Sequence, residues 1–201
     1  MLRRFFRPAW PLALSALALA FNGPAMATQV QPVTLPELVQ RSTTIVHGTV
    51  QETHTAWEEG GARLYTYVTV SPVELLKGNS PAGRTMTFRQ LGGRDGDRIV
   101  YVAGTPRFSP KQEVLLFLTG DDGAGYPQIM GIFQGAFRSV NGPGGASRVE
   151  TITPGAAGSL LPEKAAGPGQ HPPAPVLGGS FGDFMERIRI LVREQAAGAV
   201  R

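Results

Sequence analysis

The chain holds few groups able to do covalent chemistry: it has no cysteine, and histidine stands only at positions 47, 54 and 171. Without thiols there can be no disulfide, no thiolate metal site and no cysteine nucleophile. Gly178-Gly179-Ser180-Phe181-Gly182 has the G-x-S-x-G spacing of a hydrolase elbow, in which a strand-to-helix turn offers the serine to a histidine later in the chain. Here a Pro-rich stretch precedes the motif and no histidine follows it, so Ser180 reads as a helix cap. The run 78–85 imitates a phosphate-binding loop with Arg84 in the lysine place. Such a loop must feed a helix whose N-terminal amides hold phosphate, whereas 85–90 alternates as a strand. It is expected to be a hairpin connection, and no cofactor motif is found elsewhere.

Metal chemistry is equally thin. His47 and His54 are seven residues apart, an odd number, so one uninterrupted strand sends them to opposite faces, and only a bulge at Gly48 changes that count. Asp95-Gly96-Asp97 and Asp121-Asp122-Gly123 look like fragments of calcium loops but lack the glutamate that closes the coordination shell. Both read as hairpin turns, where Asp and Gly accept the required backbone angles. No metal ligand set is assigned. The feature least easily explained by folding is a cationic run, Arg84, Arg89, Arg94, Arg98 and Arg107, set against only Asp95 and Asp97. Alternation with Met86 and Phe88 sends Arg89 to the outer face of its strand, toward Gly92-Gly93-Arg94. Guanidinium groups there can grip a carboxylate or phosphate in bidentate fashion, and Trp57 adds a flat apolar contact. Trp57, Arg89, Arg94 and Arg98 are therefore the candidate partner-binding residues, against the plainer reading of a solvated hairpin.

Several elements must position these residues. Arg3, Arg4 and Arg7, the apolar run 9–21, the breaker Asn22-Gly23-Pro24 and the small-residue site Ala25-Met26-Ala27 have the form of a secretory signal peptide over 1–27. The run is shorter than the roughly 20 residues a spanning helix needs. Most of the formal net charge of +4 belongs to those three arginines, so the expected mature chain is almost neutral and unsuited to nucleic acid. It is expected to be exported, to the periplasm or beyond, without a transmembrane anchor. The stretch 154–179 is dense in Pro, Gly and Ala with no apolar period, hence a linker. It separates a domain over 28–153 from an amphipathic helix over 180–201, in which Phe181, Phe184, Ile188, Leu191 and Val192 recur at helical spacing. That helix buries its stripe either on the domain or in a partner's groove.

Within the domain, 34–42 reads as a short helix capped by Thr34 with Pro36 in its first turn. The period then becomes two. Eight strands are expected, over 44–53, 63–73, 84–91, 99–102, 113–118, 128–133, 136–140 and 148–152, with 114–118, apolar at every position, as the central one. The fold class is mainly β: a small antiparallel barrel, closed or nearly so, or a sandwich, whose core joins Ile45, Val68, Val70, Phe88, Val114, Leu116 and Leu118.

Leu38-Val39 with Ser42, residues 45–50, Tyr65-Thr66 with Val68 and Val70, 74–78, Gly92-Gly93, 104–108, 113–118, Gln134-Gly135 and Phe137 resemble an uncharacterised family of exported bacterial β-domain proteins over most of 35–140. More remotely, the strand order and the Leu76-Lys77-Gly78 strand end are similar to the netrin-like module of metalloproteinase inhibitors, which implies an OB-type barrel. Those inhibitors place a cysteine-borne N-terminus on the protease zinc, and this chain has no cysteine to do so. Two functional readings follow. One is an exported, non-catalytic binding or structural module of the envelope whose partner is an acidic protein or an anionic polysaccharide. The alternative is a secreted hydrolase, with Glu58 or Glu59 beside His54, or a protease-associated, inhibitor-like protein that lacks the cysteine–zinc mechanism.

Overall fold

The structure is a computed structural model, and it describes residues 32–58, 60–79, 84–142, 145–152 and 180–198. The leader expected over 1–27 and the linker expected over 154–179 lie outside the described residues.

Helix α1 (Leu35–Arg41) begins where the sequence signals it. The Thr34 hydroxyl accepts from the Glu37 N–H and the Glu37 carboxylate accepts from the Thr34 N–H, a reciprocal cap, with Pro36 in the first turn. The Glu37 carboxyl is held below its ordinary range, chiefly by the Thr34 backbone N–H and then by its hydroxyl. At the other end Lys77 donates to the carbonyls of Val39 and Gln40, which have no partner inside the helix.

Among the described residues nine strands follow: β1 (Thr44–Trp57), β2 (Leu64–Lys77), β3 (Met86–Leu91), β4 (Gly93–Asp95), β5 (Arg98–Val100), β6 (Glu113–Asp121), β7 (Pro127–Ile129), β8 (Ala136–Asn141) and β9 (Ser147–Thr151); helix α2 (Phe181–Gly198) comes after them. Seven strands form one antiparallel sheet in the order β3-β2-β1-β6-β8-β9, with β7 beside β8 on the same edge of β6, while β4 and β5 form a separate hairpin. The described residues are thus mainly β with two helices. The sheet is not closed into a barrel, which corrects the expectation of a closed one: β3 and β9 end the path without pairing to each other.

Residues 114–118 of β6 are wholly buried because both faces of the sheet are covered. On one face Ile45, Leu115, Phe117, Phe137 and Val149 pack against Leu38 and Val39 of α1 and Phe181, Phe184, Met185 and Ile188 of α2. On the other, Val46, Val50, Val68, Val70, Phe88, Val114, Leu116 and Leu118 form a second core. Six of the seven residues expected to share a core do so. Ile45 does not: it pairs with Phe117 while Val46 pairs with Leu116, and the period of two puts Ile45 on the helix side.

The final helix thereby buries its stripe on its own sheet. Ser180 caps it, accepting from the Asp183 N–H, and Arg189 donates to both Glu74 oxygens at 2.9 and 2.7 Å. These two bonds, more than burial opposes them, hold the Glu74 carboxyl below its ordinary range.

The long β1–β2 pair is bent. Its register slips at Ile45/Val46, His47/Gly48 and Val50/Glu52, and each slip adds twist. Gly48 sits where the strands come closest: a Cβ there would lie 2.5 Å from the Ser71 carbonyl oxygen and 2.8 Å from Val70 Cγ1. We expect Gly48→Ala to cost about 1–3 kcal/mol, because backbone has to move to admit the methyl group. Gly120→Ala, with nothing within 4 Å of the new Cβ, is the control and should leave the urea midpoint within about 0.5 kcal/mol of the wild type. Equal midpoints for the two variants would show that the strands do not approach as described.

Candidate functional site

Trp57 closes β1, and the β4–β5 hairpin folds back onto that end of the β1–β2 pair. Two threonines hold it there. Thr55 donates to the Arg94 carbonyl and Thr66 to the Gly92 carbonyl, each at 2.7 Å, and a Cβ on Gly93 would lie 2.5 Å from Thr66 Oγ1. The approach requires glycine, and Gly93 also has φ +141°. Gly96, at φ +57°, makes the turn that the Asp-Gly-Asp sequence signalled.

Around this braced hairpin two of the four predicted residues, Trp57 and Arg98, come together, while Arg94, paired with Ile99, alternates to the other face of the hairpin from Arg98, which pairs with Asp95. The Trp57 indole N–H donates to Asp95 Oδ2 at 2.7 Å, which fixes the ring plane. Arg98 lies with its guanidinium carbon 5.8 Å from the centre of that ring, within cation–π range. Arg94 is exposed and donates through Nε to the Gly96 carbonyl at 2.9 Å. A cleft of about 230 Å³ runs beneath, lined by Thr53, Thr55, Thr66, Gln90, Arg94 and Tyr101 among others.

Arg89 is the exception, and here the sequence expectation is corrected. Its side chain is only 7% exposed. It is ion-paired to Asp122, its guanidinium lies 4.0 Å from the Tyr65 ring centre and 5.0 Å from that of Tyr126, and it donates to the Tyr67 hydroxyl at 3.4 Å. Alternation assigned the face correctly, but the turn between β6 and β7 covers that face. Arg89 therefore holds this turn against β3. Burial pushes the Asp122 carboxyl up, yet the Arg89 bond and the N–H groups of Ala124 and Tyr126 outweigh it and leave the group below its ordinary range.

The other chemistry-bearing residues are dispersed. His47 is 2.9 Å from a Glu113 oxygen and packs against the Phe181 ring, while His54 stacks on Tyr67 at 5.0 Å. Glu58 takes part in the β1–β2 turn, its N–H donating to the Arg63 carbonyl; Glu59 and His171 lie outside the described residues. Among the described residues no group of three His, Cys, Asp or Glu is placed to hold a metal ion. Nor is any described helix long and apolar enough to cross a membrane.

Sequence reasoning missed Asp122, Gln90 and Tyr101. Asp122 stands in an Asp-Asp-Gly turn in which both carboxylates accept backbone N–H groups, Asp121 from Gly123 and Asp122 from Ala124 and Tyr126, so the sequence marks it as a turn residue alone; the other two carried no signal. Compared with protein-family models, curated proteins and solved structures, the chain matches none of them.

Proposed function

We propose that this chain is an exported, non-catalytic binding module of the cell envelope that holds an anionic polysaccharide on the β4–β5 hairpin. The observation that carries the reading is the order imposed on Trp57 and Arg98, an indole locked by Asp95 with a guanidinium over its face, on a hairpin that also bears the exposed Arg94. A solvated turn has no need of a fixed tryptophan. A flat ring with one guanidinium over it and a second guanidinium on the same hairpin suits a polymer with apolar sugar faces and regularly spaced carboxylates. Export rests on the form of the leader. The same reading takes the bent sheet as OB-like, and the Arg89–Asp122 tie supports it by holding the β3 edge to the β6–β7 turn.

The test is capture of polygalacturonate, with polyaspartate as the acidic-protein arm. Arg94→Ala and Arg98→Ala should each weaken capture by about three- to tenfold at low salt, with the difference shrinking as salt rises, because both contacts lie at an exposed rim. Both variants should melt with the wild type, since both side chains are exposed. Equal capture by all three proteins across a salt titration would return the hairpin to an ordinary solvated turn.

A further inference from the structure

β3 and β7 come close to each other without pairing: among the described residues β3 bonds only to β2, and β7 only to β6. A cleft of about 350 Å³ opens along this seam, lined by Gln90 and Leu91 of β3 and by Gln128 and Ile129 of β7. Neighbouring residues of a strand send their side chains to opposite faces. A cleft that touches both members of each pair is therefore entered along the strand edges, where backbone N–H and C=O groups have no ladder partner.

One wall of the cleft is apolar and is held in place at a cost. Ile132 is 54% exposed and has φ +69°, at the centre of a three-residue turn closed by the Phe133 N–H on the Gly131 carbonyl at 2.8 Å. A β-branched residue seldom adopts that region, which asparagine or glycine enters with less strain. Gly104 makes the room, since a Cβ there would lie 2.9 Å from Ile132 Cγ2. With Leu91, 44% exposed, Ile132 gives the cleft two large apolar side chains open to solvent. The fold gains little from isoleucine at an exposed turn of this shape, whereas contact with a bound partner accounts for it. The charge of the lining is one-sided as well. Arg89 and Asp122 are paired with each other, while Arg63 is exposed and in no ion pair among the described residues, so the excess is positive.

From these features we infer that the β3–β7 seam docks an extended peptide segment of a partner protein that carries a branched apolar side chain beside a carboxylate. The side chain seats against Leu91 and Ile132, the carboxylate meets Arg63, and the peptide backbone runs along the strand edges. Open amides and carbonyls favour a polypeptide over a fatty acid, whose chain has none to pair with them. The site shares no residue with Trp57, Arg94 and Arg98, so it adds a second partner to the polysaccharide reading and does not rest on it.

Fluorescence anisotropy with labelled, threonine-flanked hexapeptides tests it, their central pair being Ile or Ser followed by Glu, Ser or Lys. The Ile-Glu peptide should bind the wild-type chain most tightly, by about fivefold over Ile-Lys and over Ser-Glu. Ile132→Asn should weaken the Ile-Glu peptide by about fivefold and yet melt no lower than the wild type, because asparagine relieves the turn. Arg63→Gln should abolish the preference for Glu over Ser while keeping that for Ile. Ile132→Asn should still capture polygalacturonate, which separates this site from the hairpin. Equal binding of the Ile and Ser peptides, or Ile-Glu binding unchanged by Ile132→Asn, overturns the peptide site. A melting temperature of Ile132→Asn well below that of the wild type assigns Ile132 to packing and overturns the argument from its turn. If laurate binds while no peptide does, the polypeptide occupant is overturned.

Discussion

Phe88→Ala should lower the stability of the chain by about 3–5 kcal/mol, the range for removing a buried aromatic ring from a packed core. Phe88 is fully buried on β3, opposite Val68 on β2, and meets the Phe108 ring edge-on at 5.2 Å. It belongs to the core that Val114, Leu116 and Leu118 of β6 form on the face away from the helices. β3 and β6 are separated by two strands in the sheet, so a shared core requires that the bent β1–β2 pair carries β3 back over β6. The ring removed in Phe88→Ala sits at that fold. Urea unfolding checks the expectation: the midpoint should drop with little change in slope, whereas Arg98→Ala, from the exposed hairpin, should stay within about 0.5 kcal/mol of wild type. A cost for Phe88→Ala below about 1 kcal/mol would mean that β3 does not close over β6.

How far such a fold can be read from residues alone depends on whether a residue's surroundings are local. Thr34, Pro36 and Glu37 carry all the information for the start of α1, since their partners lie within one turn. The unbroken apolar run 114–118 announces a strand covered on both faces, because no other strand environment tolerates it. Periodicity also gives the face of Arg89 correctly. It cannot reveal that the face is covered, because Asp122 comes from 33 residues further along the chain. Ile45 shows the complementary limit: as an apolar residue flanked by Val46 it fits either core, and only the pairing with Phe117 decides between them. Trp57, Arg94 and Arg98 were legible as candidates because a tryptophan and a run of arginines stand out by residue type alone. The cleft beneath the hairpin was not, because a glutamine and three threonines carry no charge signal, and they meet only when β1, β2 and β3 lie side by side.

The same hidden neighbour makes Arg89 the second position of large expected effect. Arg89→Met keeps the length and apolar stem of the side chain but leaves Asp122, 13% exposed, facing two tyrosine rings without its counter-ion. Breaking a buried pair from one side costs about 3–5 kcal/mol in general. We expect about 3 here, at the lower end, because Asp122 Oδ1 still accepts from the Ala124 and Tyr126 N–H groups. Asp122→Asn preserves that turn and strands the guanidinium instead. The double variant should therefore be less destabilised than the sum of the singles by about 1–3 kcal/mol, the coupling expected of residues in contact. The pair also sets a pH dependence. Since folding lowers the Asp122 carboxyl from its unfolded value of about 3.9, the pair's contribution is complete above that value and fades as pH falls through the lower folded one. Urea midpoints followed from pH 7 to pH 2 should accordingly fall more steeply below pH 4 for the wild type than for Arg89→Met/Asp122→Asn. Parallel curves, together with simple additivity of the single variants, would remove the ion pair from the account of what holds the β6–β7 turn to β3.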